Sequence, residues 1–335
     1  MATLVSLAEI EAAAARIRPA ARVTPLIEVP WPILQPSTVA RDFSPATNPR
    51  GTFFLKCENL QPMGAFKIRG AYNMMAQLSR DELSRGVITY SSGNHGQAVA
   101  LAARELGAPA VIVMPTTAPK VKVEGARGFG AEVTFAGTTS MDRKVRAEQI
   151  AAERHLTIVP PFDHPMIIAG QGTVGLEILD QCPDVATVLV EVGGGGLSSG
   201  VAAAIKQRAP RVRVIGVEPT GAAKMKASLQ VGAPTTLDKT SSIADGLLTV
   251  RPGDLTFEHV RAFVDDVVTV ADEDMIRAIG WLFRYARLVV EPSGSVTTAA
   301  LMRGVGGVDP SRGPVVAIVS GGNVEPEKFA QYITQ

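Results

Sequence analysis

Val188-Leu-Val-Glu-Val192, then Gly193-Gly194-Gly195-Gly196, then Leu197-Ser-Ser-Gly-Val-Ala-Ala-Ala-Ile-Lys-Gln207 is the stretch on which the fold turns. A β-branched run, a glycine turn and a helical segment make a strand–turn–helix unit. Four glycines leave backbone N–H groups unshielded by any Cβ beside a helix N-terminus, which is where an anion is stabilised. Phosphate is the expected ligand. A loop shaped by packing alone would be served by one or two glycines.

The same alternation extends in both directions. Ser6 followed by Glu9 reads as a capping box for an opening helix that runs until Pro19. Further strand candidates are Phe53–Cys57, Val87–Ser91, Ala110–Met114, Glu132–Phe135, Thr157–Val159, Val185–Val192, Val212–Val217, Phe263–Val270, Leu288–Val290 and Val315–Ser320. Helices are expected from about Lys67, from about Gly96 and after Met114. Strands alternating with helices imply βαβ units and parallel sheets covered on both faces. Ten strands are many for one doubly wound sheet, and the Pro-rich turn near Val159–Pro165 suggests a crossing between two. Two α/β lobes with a cleft between them are therefore expected, with residues 28–51 as a long surface loop.

Composition narrows the function classes. The 335 residues carry a net charge of +1 and no basic stripe, so nucleic acid is not an expected partner. Hydrophobic residues at 46% and charged residues at 19% describe a globular chain, and no uncharged run approaches the ~18 apolar residues of a membrane span. Cys57 and Cys182 cannot build a disulfide framework, and no secretory signal opens the chain, so a cytoplasmic location is expected. His95, His155, His164 and His259 are scattered, which gives a transition-metal centre little support.

Three motif matches compete for the glycine loop. Gly195 and Gly200 have Walker A spacing, but Val201 and Ala202 stand where Lys and Ser/Thr are needed. Gly196-Leu-Ser198-Ser-Gly200 matches a hydrolase elbow, yet the serine follows a glycine run instead of standing at the turn, so Ser198 reads as an ordinary helix residue. Glu218 ends the next strand at roughly the spacing of a ribose-binding acid, which keeps a dinucleotide-binding oxidoreductase open, although Ser198 interrupts the fingerprint.

Lys67 begins a helix beside Phe66, after the apolar strand Phe53–Cys57. Burial and the positive helix end both disfavour an ammonium there, and a neutral amine attacks carbonyls. A lysine snorkelling at a helix start is the plain alternative. Four motifs in order carry a resemblance: Gly64-Ala-Phe-Lys67-Ile-Arg-Gly-Ala71, Ser91-Ser-Gly-Asn-His-Gly-Gln97, Gly193–Gly196 and Ser320-Gly-Gly-Asn323. Leu55-Lys-Cys-Glu-Asn-Leu60, Ile168-Ala-Gly-Gln-Gly-Thr173, Ile243-Ala-Asp-Gly246 and Val290-Glu-Pro-Ser293 add to it. The chain resembles, over nearly its whole length, the pyridoxal-phosphate enzymes of the tryptophan synthase β fold (fold type II), and most of all serine/threonine dehydratases and serine racemases.

The resemblance implies two doubly wound domains, residues 1–75 with 163–335 forming the larger, cofactor-binding one and 76–162 the smaller, and an active site in the cleft between them. It implies that Lys67 forms a Schiff base with pyridoxal 5'-phosphate and moves the substrate's Cα proton. Phe66 stacks on the ring, Asn94 bonds the ring hydroxyl, and Gly193, Gly194, Gly195, Gly196 and Leu197 hold the phosphate. Ser91, Ser92, Gly93, Asn94 and His95 wrap the substrate carboxylate, and Ser320 meets the ring nitrogen. A neutral hydroxyl there leaves the nitrogen unprotonated and the ring a weaker electron sink, which suits β-elimination. The implied activity is a dehydratase converting threonine, serine or a bulkier analogue such as phenylserine or hydroxyaspartate to a 2-oxo acid and ammonia, in a homodimer. A serine racemase, with Ser92 as acid/base opposite Lys67, is the alternative within the family; a non-catalytic phosphate-binding protein lies outside it.

Departures from the family pattern carry expectations too. Ala65 stands where many dehydratases have serine before Phe-Lys, which reshapes the pocket for the β-substituent. Relatives that bind Mg²⁺ or Ca²⁺ use a Glu, a backbone carbonyl and an acidic residue; Glu218 and Ala222 match, but the third position is Lys224, whose ammonium would replace the metal. The chain ends fifteen residues after Ser320, so no appended regulatory module or feedback control is expected.

Overall fold

The computed structural model describes residues 3–31, 53–91 and 93–335. Its strands are β1 (Leu26–Val29), β2 (Phe53–Cys57), β3 (Val87–Tyr90), β4 (Ala110–Met114), β5 (Glu132–Phe135), β6 (Thr157–Ile158), β7 (Thr187–Glu191), β8 (Arg213–Pro219), β9 (Asp266–Val270) and β10 (Val315–Val319). They form two sheets, one of six strands in the order β1-β2-β10-β7-β8-β9 and one of four in the order β5-β4-β3-β6. Every described pairing is parallel except that of β1 with β2.

The α-helices are α1 (Leu7–Arg16), α2 (Ile68–Met75), α3 (Arg80–Arg85), α4 (Asn94–Leu106), α5 (Lys120–Gly128), α6 (Ser140–Arg154), α7 (Pro165–Gln181), α8 (Gly196–Arg208), α9 (Lys224–Val231), α10 (Asp254–Phe263), α11 (Asp272–Trp281), α12 (Pro292–Arg303) and α13 (Pro326–Thr334). Local chemistry sets their ends. Ser6 and Glu9 form the expected capping box on α1. Pro165, at the first position of α7, sacrifices an N–H that would have had no helical partner. Every residue of β4, β7 and β10 is buried, the signature of a parallel sheet with helices on both faces.

The chain leaves the six-stranded sheet through α2 and α3 and returns from the end of β6 through α7, so the crossing expected at Val159–Pro165 is present. Two strand expectations need correction. Leu288–Val290 is not a strand: its buried, exposed, buried alternation imitates one, but the segment links a π-helix (Leu282–Ala286) to α12, and the Val289 carbonyl accepts from the Asn59 side chain at 3.2 Å. Phe263 closes α10, and strand β9 begins only at Asp266. Of the loop expected at 28–51, Glu28 and Val29 belong to β1, and residues 32–52 lie outside the described residues.

Candidate active site

Lys67 is the N-cap residue of α2, one residue after Phe66. The Phe66 N–H donates to the Ser320 carbonyl at 3.0 Å, Gly322 N–H to the Gly64 carbonyl at 2.9 Å, and Ala65 bridges Gly321. These bonds staple the lysine turn to the end of β10. Gly64 makes the approach possible with φ +78°, where a Cβ would also lie 2.4 Å from Asn323 Oδ1. Behind the lysine, buried Arg69 donates to Glu58 at 2.7 Å and to Glu177 at 2.6 Å, anchoring the first turn of α2. Lys67 Nζ sits 5.1 Å from the Phe66 ring centroid and donates to the Pro161 carbonyl at 2.9 Å. Desolvation by the surrounding protein brings its pKa down to about 8, as its apolar setting predicts.

The four glycines join β7 to α8, with Gly195 as N-cap at φ +101°. A Cβ on Gly194 would stand 2.4 Å from the Phe162 ring, and one on Gly195 2.7 Å from Thr256. Thr256 Oγ1 donates to the Gly194 carbonyl at 2.7 Å, fixing the loop from behind. The loop is thus a backbone cradle at a helix N-terminus, of the kind that fits a phosphate. Leu197 buries its side chain in the core, which leaves its backbone N–H as its contribution. Ser198 is fully buried and its hydroxyl donates to the Gly195 carbonyl at 3.1 Å, so the hydrolase match has no exposed nucleophile.

Asn94 opens α4, and its side chain is held at both ends: Nδ2 donates to Glu291 Oε1 at 2.5 Å, and Oδ1 accepts from Asn323 Nδ2 at 2.9 Å. Gly93 is the N-cap, its N–H donating to Ser91 Oγ at 3.2 Å. The first N–H groups of α4 point to the same end of the helix, free of intrahelical carbonyls. His95 turns its ring inward, with Nε2 3.1 Å from the Val159 carbonyl. Burial, with Lys67 adding to it, pushes its pKa down to about 3, so His95 is a neutral core imidazole and offers the site its backbone. Ser92 lies outside the described residues.

Charges outside the motif assignments complete the site. Glu291, buried, has its pKa raised to about 7 by desolvation, although Lys122, 3.7 Å away, pulls it down. Lys122 also pairs with Asp245. Glu191, at the last position of β7, accepts from the Ser320 N–H at 3.2 Å. A carboxylate inside an apolar run, Val188–Val192, is the signal that could have drawn attention to it.

Glu218 is not a ribose acid. Its carboxylate is buried, accepts the N–H groups of Met225 and Lys226 at 2.9 Å each, and meets Lys224 Nζ at 3.0 Å. Lys224 does not point to solvent. Its fully buried Nζ also donates to the carbonyls of Val192 at 2.9 Å, Ala222 at 3.1 Å and Leu247 at 3.1 Å. Burial brings its pKa below the ordinary lysine value, against the opposing pull of Glu218. Four oxygens around one nitrogen suit an ammonium, whose three N–H donors they accept, and leave no place for an amine lone pair.

The comparisons with known proteins agree with this arrangement. The family described as pyridoxal-phosphate dependent enzyme matches residues 17–321. The chain is 43% identical over 271 residues to the L-threonine dehydratase biosynthetic IlvA of Haemophilus influenzae, covering 81% of this chain and 53% of that protein. It is 45% identical over 285 residues to the L-threonine ammonia-lyase of Thermotoga maritima, covering 85% of this chain and 70% of the other. Maize serine racemase shares the fold with a TM-score of 0.88 and 35% identity, over 99% of this chain and 98% of that one. The chain therefore spans about half the length of the first relative and seven tenths of the second. With the lysine turn, the glycine cradle and the family match in agreement, the chain belongs to the pyridoxal-phosphate dependent enzymes.

Proposed function

We propose that the chain is a dehydratase (ammonia-lyase) of β-hydroxy-α-amino acids, with threonine and serine as first candidates and phenylserine or hydroxyaspartate as bulkier ones, working in the cytoplasm as a homodimer. The observation that carries the reading is a buried lysine amine with a pKa of about 8 on a turn that the Phe66 N–H ties to the Ser320 carbonyl, in a chain whose second anchor is a backbone phosphate cradle. Pyridoxal phosphate, when bound, supplies the electron sink that makes the substrate's Cα–H acidic and its β-hydroxyl able to leave.

The chain's own residues supply the rest. Lys67 would hold the cofactor aldehyde and would serve as the base for the substrate's Cα proton. Phe66 would cover one face of the ring. Gly193–Gly196 and Leu197 would bind the phosphate through N–H groups, and Asn94, fixed by Glu291 and Asn323, would present its amide to the ring hydroxyl. Ser91, Ser92, Gly93, Asn94 and His95 would orient the substrate carboxylate, and Ser320 would meet the ring nitrogen. Loss of water and hydrolysis of the resulting imine release a 2-oxo acid and ammonia. The ammonium of Lys224 stands in for a divalent cation beside the cradle. Residues 1–75 with 163–335 form the cofactor domain and 76–162 the smaller one. The 35% identity with maize serine racemase favours racemisation as the second reading, with Ser92 as the opposing acid/base.

An absorption spectrum and a product assay test this. The purified holoenzyme should show a visible band, lost on borohydride reduction and absent in Lys67→Ala. L-threonine and L-serine should yield more 2-oxo acid than D-enantiomer. A colourless protein that binds NAD would overturn the assignment, and predominant D-enantiomer would transfer it to the racemases.

A further inference from the structure

Pro160-Pro-Phe-Asp163 carries the chain from the four-stranded sheet into α7, and its residues touch three parts of the site in turn. Val159, just before them, is tied to the small sheet: its N–H donates to the Ile88 carbonyl at 2.8 Å, and its carbonyl accepts from Thr89 Oγ1 at 2.7 Å. The Pro161 carbonyl takes the Lys67 amine. Phe162 lies against the glycine turn, where a Cβ on Gly196 would come 3.0 Å from the Phe162 Cβ. The Asp163 carboxylate accepts the N–H groups of Asp254 and Thr256, at 3.0 Å each, in the first turn of α10. Gly253 leaves room for it, since a Cβ there would lie 2.2 Å from Asp163. Asp163 forms no ion pair among the described residues, so these two N–H groups are what its charge meets. The capped turn holds the cradle in its turn: Thr256 Oγ1 donates to the Gly194 carbonyl at 2.7 Å and the Gly253 N–H to the same oxygen at 3.3 Å. A trans peptide points its C=O and N–H to opposite sides. Fixing the Gly194 carbonyl against α10 therefore turns the Gly195 N–H away from α10.

We propose that Asp163 is a positioning residue for the cofactor phosphate, acting through the first turn of α10, Thr256 and the Gly194 carbonyl to aim the Gly195 N–H. The inference rests on the cofactor reading above and adds a residue that none of the four motifs contains. Asp163 touches neither cofactor nor substrate in this role, and no bond to either forms or breaks at it. Because it stands on the segment that crosses between the two sheets, a shift of that segment moves the lysine's carbonyl partner, the Phe162 ring and the cap of α10 together. The grip on phosphate is thereby coupled to the placement of the crossing.

The test compares the affinity of the full chain for pyridoxal 5'-phosphate with its affinity for pyridoxal, which lacks the phosphate. Asp163→Ala should weaken pyridoxal phosphate about tenfold, the loss of one helix cap read as affinity, and leave pyridoxal unchanged. Thr256→Val should do the same, and the double variant should lose no more than either alone, because both act on one carbonyl. Asp163→Asn, which keeps one acceptor oxygen at the cap, should lose less. The ³¹P signal of the bound phosphate in the holoenzyme should move in Asp163→Ala and in Thr256→Val. Unchanged affinity for pyridoxal phosphate in Asp163→Ala, an equal loss for both ligands, or losses that add in the double variant would each overturn the proposal while leaving the enzyme assignment intact. Wild-type protein that binds no pyridoxal phosphate would overturn both. If Asp163→Ala does not fold, Asp163→Asn decides: a small loss confined to pyridoxal phosphate supports the proposal, and wild-type affinity defeats it.

Discussion

Neighbouring strands β7 and β8 each carry a buried glutamate at or near their C-terminal end, on either side of the route into the glycine cradle, and the two are treated in opposite ways. Glu218 meets an ammonium and two backbone N–H groups, and that ammonium in turn holds the carbonyls of Val192, Ala222 and Leu247. Glu191 meets one N–H group and another carboxyl. A charge whose every oxygen is partnered is a structural tie: it locks the strand ends around the cradle. A carboxyl left half-partnered in the same dry layer costs stability, and such a cost is characteristic of a functional group.

Lys224 is where this contrast is most open to attack. Lys224→Met should cost about 3–5 kcal/mol, because Glu218 then becomes an uncompensated buried charge. Adding Glu218→Leu should recover much of that loss. Chemical denaturation of the three proteins reads both effects, and a Lys224→Met protein as stable as wild type would show that the tie is idle. A second buried lysine extends the contrast. Lys67 has only desolvation acting on it and a pKa of about 8, so loading of pyridoxal phosphate onto the free amine should slow about tenfold per pH unit below that value and level off above it. A stopped-flow pH series checks this; a rate flat across pH 8 would mean the amine is not the titrating group.

Glu191 should give a smaller effect of opposite sign. Its pKa is raised on folding, so the folded chain binds more protons than the unfolded one above the ordinary carboxyl range, and stability present at low pH is lost as pH rises. Relative to wild type, Glu191→Gln should gain melting temperature as pH rises above the ordinary carboxyl range. A constant difference over that rise would place the Glu191 pKa back at its ordinary value. The smallest expected effect is zero: chelation by EDTA followed by added Mg²⁺ should leave turnover unchanged, since the ammonium of Lys224 occupies the position beside Glu218. Clear Mg²⁺ activation would remove Lys224 from that role, whereas activation gained only in Lys224→Asp would confirm it.

Much of this geometry is legible in the residue pattern. Nine of the ten strand candidates correspond to strands, because apolar β-branched runs between helices are a local signal. Strand β1 escapes that signal because Leu26–Val29 is short, carries Glu28 and pairs antiparallel at an edge. Lys67, the cradle and the α4 turn are legible because glycine placement and residue order write backbone chemistry directly into the chain. Glu291 stands in the motif Val290–Ser293, yet nothing local says that its carboxyl takes the Asn94 amide, 197 residues away.

The alternation of strands and helices, the glycine cradle and a lysine at a helix start follow from residue order alone, since they depend on side-chain pattern, the absence of Cβ and a helix start. Which buried charges are answered is settled only in the folded chain. Glu191 and Glu218 look alike in a strand, but whether water is excluded and a cation lies within 3.0 Å depends on residues brought together from distant segments. Desolvation and Coulomb attraction act through space, and no local pattern records them.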